Sequence, residues 1–227
     1  MSPLERRQRR LAAILAADVV GSSRLIEADE QSALAAIHAV LSGVLAATAE
    51  RHAGRLIKTM GDGALYEFAS PVEAVACAAA VQETVNARAS GEPVGRRVLL
   101  RIGINLGDVV VEDDGDLYGD GVNVAVRLES IADPGGVCVS GKVFEELQGK
   151  VALLFEDRGE QRLKNIARPV RVYALQGEAA TRQHDLHRPS PKVPGKPSIA
   201  VLPFANMSGD PEQGYFKATS QTASLTA

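Results

Sequence analysis

Hydrophobic and polar residues follow two alternating periods along this chain, which predicts alternating strands and helices. Residues 11–20 form an apolar run that leads into glycine and serine, as expected of a central strand. Between residues 29 and 52 the apolar side chains recur at helical spacing and predict one long amphipathic helix. Two short apolar runs, 56–60 and 64–68, flank a Gly-Asp-Gly turn and predict a β-hairpin.

The remaining pattern continues this alternation. A capping box with proline at the first helical position, SPVE at 70–73, opens a helix that runs to about residue 89. Residues 97–111 are apolar and β-branched, with Gly103 and Gly107 as interruptions, and predict a strand pair or a bent strand. Residues 120–131 predict a helix that Asp120 could cap. The later pattern predicts a turn at 133–136, a strand at 137–139, a helix at 142–148, and edge strands at 155–157, 161–164 and 170–175.

The order of these elements indicates the fold class. A β-α-β-β-α-β order is typical of a ferredoxin-like sheet with helices on one face. We therefore predict an α+β domain over residues 10–176, with additional C-terminal strands and a basic lead-in at residues 1–9.

The composition is typical of a soluble globular protein. Of the 227 residues, 45% are hydrophobic and 23% are charged, which is sufficient to bury a core. The net charge of −3 predicts attraction neither to nucleic acid nor to a membrane surface. Cys77 and Cys138 fall within apolar patterns, so we interpret them as small buried side chains in a reducing compartment. A cytoplasmic location is therefore expected.

The two ends of the chain differ from its middle. Arginines at 6–10 followed by an apolar stretch imitate a short signal peptide, but Asp18 interrupts it. No apolar stretch approaches the ~20 residues of a membrane span, so neither export nor a span is expected. Residues 177–196 are polar and contain prolines, as a linker does. The run SIAVLPF at 198–204 resembles the opening of a TolB-like domain, and we expect residues 197–227 to be the truncated, poorly ordered start of one.

Two aspartates stand where predicted strands end. Asp18 precedes Gly21 and two serines, and Asp62 lies between two glycines that let the backbone turn and approach a ligand closely. Either aspartate alone is an ordinary turn former. Together, on neighbouring strand ends, two carboxylates suit a pair of divalent cations that also hold a triphosphate.

Three segments together resemble the catalytic domain of class III nucleotidyl cyclases. They are DVVGSS at 18–23, KTMGDG at 58–63 and DLYGDGVNVAVR at 116–127. The third is the most specific, because Asn123 and Arg127 follow Asp116 at the family's offsets of seven and eleven. The resemblance covers about residues 10–176, the region in which the strand pattern is found.

The resemblance implies a metal and phosphate site. Asp18 and Asp62 would hold two Mg²⁺ or Mn²⁺ ions in each active site. Backbone amides near the start of a helix favour anions, so the amides of Val19, Val20, Gly21 and Ser22 would cradle the phosphates. Taken alone, the Gly-Ser-Ser sequence is an ordinary helix cap.

The resemblance also assigns the residues around the ribose and the α-phosphate. Asn123 would orient the ribose, and Arg127 would stabilise charge on the α-phosphate in the transition state. Four residues apart on a helix, they share one face, although such a pair alone is usually a solvated surface pair. Lys164 matches a phosphate-binding lysine, but Asn165 stands where the family usually has glycine.

Lys58 and Asp116 indicate the base. Adenine presents a ring acceptor beside an amine donor, which a lysine donor and an aspartate acceptor complement, whereas guanine reverses that pattern. ATP is therefore the expected substrate, converted to cyclic AMP and pyrophosphate. Lys58 and Asp62 are only four residues apart, yet they serve opposite ends of the nucleotide. The family's solution is a head-to-tail homodimer with shared active sites. A guanylate cyclase and a non-catalytic nucleotide-binding or dimerisation module are the alternatives.

Overall fold

The computed structural model describes residues 8–112 and 116–176 as one mixed sheet with packed helices. The basic lead-in up to residue 7, the predicted linker and the TolB-like segment lie outside the described residues. The strands are β1 (Gln8–Val19), β2 (Arg55–Met60), β3 (Gly63–Phe68), β4 (Leu100–Val111), β5 (Leu117–Tyr118), β6 (Val137–Ser140), β7 (Phe155–Gln161) and β8 (Val170–Leu175). The helices are α1 (Ser22–Ala28), α2 (Glu30–His38), α3 (Ala46–Arg51), α4 (Pro71–Ser90), α5 (Asp120–Ile131) and α6 (Gly141–Leu147).

The sheet order confirms the ferredoxin-like arrangement. Its path is β2-β3-β1-β4-β6-β8-β7, and β5 pairs with the end of β4. The central strand β1 lies antiparallel to both β3 and β4. Because side chains alternate along a strand, β1 serves two cores. Its buried odd-numbered residues, from Ala13 to Val19, pack with α2, α3, α4 and α6, and its buried even-numbered residues, from Ala12 to Ala16, pack with α5.

The predicted long helix is present, with one irregularity and one addition. A π-helical segment, Ala39–Leu45, joins α2 to α3, and the whole helix spans Glu30–Arg51. A separate helix, α1, precedes it and ends at Asp29, whose side chain caps α2 by accepting from the Ser32 amide at 3.2 Å. By length and composition alone, the Glu30–Arg51 helix is long and apolar enough to cross a membrane. Its apolar face is buried against the sheet, as in a core helix.

The position of helix α5 differs from the expectation that all helices lie on one face of the sheet. It packs on the face of the sheet opposite α4, over the even-numbered side of β1. The two glycines of β4 permit this, because a methyl group at Gly103 would collide with the backbone of Ala125 and Glu129. At Gly107 an added methyl carbon would lie 2.9 Å from the Gly121 Cα. These glycines therefore mark helix contacts within a single strand, not a break between two strands.

The C-terminal strands also differ from the prediction. Residues 161–164 do not form a separate strand: β7 ends at Gln161, and the chain turns at Lys164 and Asn165. Asn165 has φ +63, a left-handed conformation that asparagine tolerates better than most residues. Strand β8 is internal, between β6 and β7, so of these two C-terminal strands β7 lies at the edge of the sheet and β8 does not.

The buried cysteines agree with the sequence interpretation. Cys77 and Cys138 are free thiols in apolar surroundings. Burial raises the pKa of Cys77 to about 12 and that of Cys138 to about 11. Both thiols therefore stay protonated at neutral pH and are poor nucleophiles.

Candidate active site

The two predicted metal-binding aspartates lie side by side at one end of the sheet. Asp18 pairs across β1 with Gly63 on one side and Arg101 on the other. The amide of Val19 donates to the Asp62 carbonyl oxygen at 3.1 Å, which fixes the β2–β3 turn to the end of β1. Gly63 must be small, because an added methyl carbon would lie 2.9 Å from the Ala17 carbonyl oxygen. Backbone register therefore brings the carboxylates together.

The electrostatics of this pair favour a cation. The pKa of Asp18 is raised, chiefly by burial and then by the neighbouring charge of Asp62, while Arg101 partly lowers it. Two partly buried carboxylates that repel each other are stabilised by a positive ion between them. Among the described residues no cluster of three or more His, Cys, Asp or Glu side chains is arranged to hold a metal. Water, backbone carbonyl oxygens or oxygen atoms of a bound substrate would complete the coordination of a metal held here.

The segment after Asp18 contains the predicted phosphate loop. Gly21 has φ +64 and begins α1, and the buried Ser22 hydroxyl donates to Asp62 Oδ2. The amides of Val19 and Val20 are already bonded to the backbone, to Asp62 and to Leu99. Only the later part of the predicted cradle, Gly21 and Ser22, therefore lies at the helix start, where amides lack an intrahelical partner.

Two charged residues at this end of the sheet were missed by the sequence analysis. Arg101 lies opposite Asp18 on β4, and its Nε is buried without a hydrogen-bond partner in the part of the chain that the structure describes. Glu129, on α5, is 8% exposed. Burial, together with the charges of Asp18 and Asp62, raises its pKa to about 7, although Arg101 acts in the opposite direction. The sequence does contain a signal for Glu129. It lies two residues after Arg127, which places it on the opposite, buried face of the helix.

The predicted base-recognising residues contact each other. Lys58 Nζ donates to Asp116 Oδ2 at 2.8 Å, and the Leu117 amide donates to Asp116 Oδ1 at 2.7 Å. The bond from Lys58, with a weaker contribution from the Tyr118 hydroxyl, holds the pKa of Asp116 below its usual value. A fixed donor therefore stands beside a fixed acceptor.

The third group of predicted residues lies on the outer face of α5. Asn123 is exposed and Arg127 is half-buried. The Arg127 Nε donates to the carbonyl oxygen of Lys164 at 3.0 Å, which ties the helix to the turn before β8. The structure therefore brings Asn123, Arg127 and Lys164 into one region, with the side chain of Lys164 exposed.

Within one chain, the α5 residues and the metal-binding residues face different directions. Successive residues of an α-helix are ~100° apart, so Arg127 and Glu129 project from α5 about 160° apart. Glu129 is buried and experiences the charges of Asp18 and Asp62, whereas Arg127 and Asn123 lie on the side that is not buried. The fold therefore separates the predicted transition-state residues from the carboxylates of the same chain.

Comparisons with known proteins point to a single family. The family described as "Adenylate and Guanylate cyclase catalytic domain" matches residues 5–177. The Rhizobium meliloti protein named "Putative adenylate cyclase 3" is 51% identical over 211 residues, which cover 92% of this chain and 36% of that protein. The Streptomyces coelicolor protein named "Adenylate cyclase" is 36% identical over 131 residues, covering 58% of this chain and 32% of its own length. The chain thus spans about a third of these relatives.

A solved structure supports the same assignment at the level of the fold. The "Adenylate/Guanylate Cyclase/Hydrolase" of Silicibacter pomeroyi superimposes with a TM-score of 0.70 at 42% identity. The match covers 75% of this chain and 98% of that chain. From the family match, these relatives and the site geometry, the chain belongs to the adenylate and guanylate cyclase catalytic domain family.

Proposed function

We propose that this chain is an adenylate cyclase catalytic domain that converts ATP to cyclic AMP and pyrophosphate. The observation that carries the choice of ATP is the 2.8 Å contact between Lys58 Nζ and Asp116 Oδ2. A donor and an acceptor held side by side complement the ring nitrogen and the amine of adenine. Guanine has a carbonyl in place of that amine, so its oxygen would face the Asp116 carboxylate unfavourably.

The family generally uses divalent metal ions, and the acidic end of β1 suits them. Asp18 and Asp62 would hold two Mg²⁺ or Mn²⁺ ions, because their mutual repulsion and partial burial favour a bound cation. Such ions activate the ribose 3′ hydroxyl and neutralise charge on the phosphates. Ser22 fixes the orientation of Asp62, and the backbone from Gly21 onward approaches the phosphates.

The reaction needs no protein nucleophile. The 3′ oxygen of the ribose loses its proton to water and bonds to the α-phosphorus, and the bond from that phosphorus to the bridging oxygen breaks, which releases pyrophosphate. Asn123 orients the ribose, while Arg127 stabilises the charge that develops on the α-phosphate. Lys164 adds a positive charge beside the phosphates. Positioning and charge stabilisation supply most of the catalysis in phosphoryl transfer.

The active site is shared between two copies of the chain. One copy provides Asp18 and Asp62, and the other provides the base-recognising pair and the outward side of α5. The support for this sharing is the ~160° between Arg127 and Glu129 around α5, because Glu129 is the residue turned toward the carboxylates. A two-fold dimer then has two equivalent sites.

The test is a direct assay of the purified chain. Incubation with ATP or GTP, each with Mg²⁺ or Mn²⁺, is followed by chromatography of the cyclic nucleotides. We expect cyclic AMP to form about 100-fold or more faster than cyclic GMP, since a buried mismatch costs a few kcal/mol. Equal turnover of the two nucleotides would refute the choice of ATP, and an absence of both products from a folded dimer would refute the activity.

A further inference from the structure

We propose that Tyr118 is a positioning residue that fixes the Lys58–Asp116 pair and thereby sets the preference for ATP over GTP. This inference rests on the proposed function. It assigns to Tyr118 no contact with the reacting atoms, only the task of orienting the two side chains that recognise the base.

The ring of Tyr118 supports the lysine. Lys58 Nζ lies 4.8 Å from the ring centroid, within the range of a cation–π interaction. An ammonium group has three N–H donors, so the bond to Asp116 and the ring face together define the direction in which another N–H points. Without the ring, the long Lys58 side chain would pivot about a single contact.

The hydroxyl of Tyr118 supports the aspartate. It donates to the Asp116 carboxylate, which also accepts from Lys58 and from the Leu117 amide. Lys58 binds Oδ2 and the Leu117 amide binds Oδ1, so both oxygens of the carboxylate are already held by donors besides Tyr118. The same tyrosine therefore contacts both members of the pair, one through its ring and the other through its oxygen.

The backbone around Tyr118 is itself held in place. Strand β5 pairs with the end of β4, where Tyr118 lies opposite Val110. The preceding Leu117 is fully buried and anchors β5 to the core beneath α5. By contrast, Lys58 lies on β2, whose pairing with β3 is irregular between Leu56 and Lys58. The backbone of Tyr118 is therefore held by β4 and by the buried Leu117, whereas Lys58 lies at an irregular position of an edge strand.

Orientation matters here because the base is chosen by the arrangement of donor and acceptor. Lys58 and Asp116 keep 33% and 18% of their side-chain surface exposed, and ion pairs in contact with solvent are weak and mobile on their own. A mobile pair presents its donor and acceptor in varying positions and so discriminates less between the two purines. A pair held by Tyr118 presents one arrangement only, the one that complements adenine.

The experiment compares Tyr118→Phe, which keeps the ring, with Tyr118→Leu, which removes ring and hydroxyl. The readout is the ratio of kcat/KM for ATP to kcat/KM for GTP. We expect this ratio to fall about 3- to 10-fold in Tyr118→Phe and about 30-fold or more in Tyr118→Leu, mainly through KM. The matched control is Tyr173→Phe, on β8, which should leave the ratio unchanged.

Two outcomes would overturn the inference. An unchanged ratio in a folded Tyr118→Leu protein would show that the pair needs no support. If the tyrosine instead stacked directly on the base, Tyr118→Phe would match the wild type and Tyr118→Leu would weaken ATP and GTP equally.

A second readout does not depend on activity. The ring current of Tyr118 should shift the NMR signal of the Lys58 ε-methylene protons upfield, with Lys58→Arg used for assignment. We expect this shift to persist in Tyr118→Phe and to disappear in Tyr118→Leu. If the wild type makes no cyclic nucleotide but shows the shift, the proposed function fails while the contact stands. If the shift is absent, the positioning fails whatever the activity.

Discussion

At the scale of single residues, the acidic end of β1 combines carboxylates that destabilise one another. Glu129 is the most perturbed of these, since its pKa of about 7 lies above the ordinary value of 4.5. Between these two pH values the folded protein retains a proton that the unfolded chain has released. The free energy of unfolding therefore falls as the pH rises through this window. The stabilisation that this bound proton provides is fully present below pH 4.5 and is lost above a pH of about 7.

We predict that Glu129→Gln flattens this pH dependence. The change removes the charge that burial penalises, so at pH 8 the variant should be more stable by roughly 2–3 kcal/mol, while at pH 4.5 it should match the wild type. Urea unfolding at the two pH values, with a chelator to exclude divalent ions, measures the difference. The control is Glu83→Gln, an exposed glutamate on α4. A parallel pH dependence in wild type and Glu129→Gln would contradict the prediction.

Some residues of the candidate site could be predicted from the sequence, and others could not. Asp18, Asp62 and Asn123 stand in motifs or at the ends of apolar runs, so the sequence pattern is sufficient to identify them. Arg101 and Glu129 lie inside a strand and a helix, where a charged residue among apolar ones is interpreted as surface. Only cross-strand register and the buried side of α5 show that both of them adjoin Asp18.

At the scale of elements, the contact between α5 and β4 determines where the site's outer residues point. Periodicity predicted the bounds of α5 correctly, but it could not predict which face of the sheet the helix covers. The cap of α4 was predicted correctly, since the Ser70 hydroxyl accepts from the Glu73 amide at 3.4 Å, as the capping box predicts. At α5 the cap is Gly119, and Asp120 lies in the first turn, so the predicted cap was displaced by one residue.

We predict that Gly103→Ala displaces α5 from the sheet. The new methyl group would collide with backbone atoms of Ala125 and Glu129, which cannot move without moving the helix. The expected loss is about 1–3 kcal/mol of unfolding free energy, or more, as in other overpacked sites. The measurement is urea unfolding at neutral pH, followed by circular dichroism.

The control for this change is Gly43→Ala. Gly43 lies in the Glu30–Arg51 helix, and nothing approaches within 4 Å of an added methyl carbon. Because alanine favours helices over glycine by ~1 kcal/mol, this variant should be as stable as the wild type or more so. Equal stability of Gly103→Ala and Gly43→Ala would show that α5 does not pack closely on β4.

At the scale of the whole molecule, the proposed active site is divided between two copies of the chain. We predict that two inactive variants restore activity when mixed. Asp18→Ala removes the metal half and Arg127→Ala the transition-state half, so each homodimer is inactive. In a mixed dimer one site carries both defects and the other carries neither. Random pairing makes about half of the dimers mixed, so roughly a quarter of the wild-type activity should return.

The matched control mixes Asp18→Ala with Asp62→Ala. Both changes lie in the metal half, so every site in every dimer keeps one defect and no activity should return. Native mass spectrometry establishes that mixed dimers have formed in both experiments. If Asp18→Ala and Arg127→Ala form mixed dimers without recovering activity, each site is built within a single chain.

The apolar helix Glu30–Arg51 has a consequence for how the protein is made. Its buried face is covered by β1 together with α4 and strands that lie later in the chain, of which β4 begins only at Leu100. At ~5–20 residues per second, about 50 residues of synthesis leave the helix uncovered for roughly 3–10 s. During that interval the ribosome presents a segment with the length and hydropathy of a membrane anchor. The apolar face of this helix can be buried as it is in the folded protein only after β4 has been made.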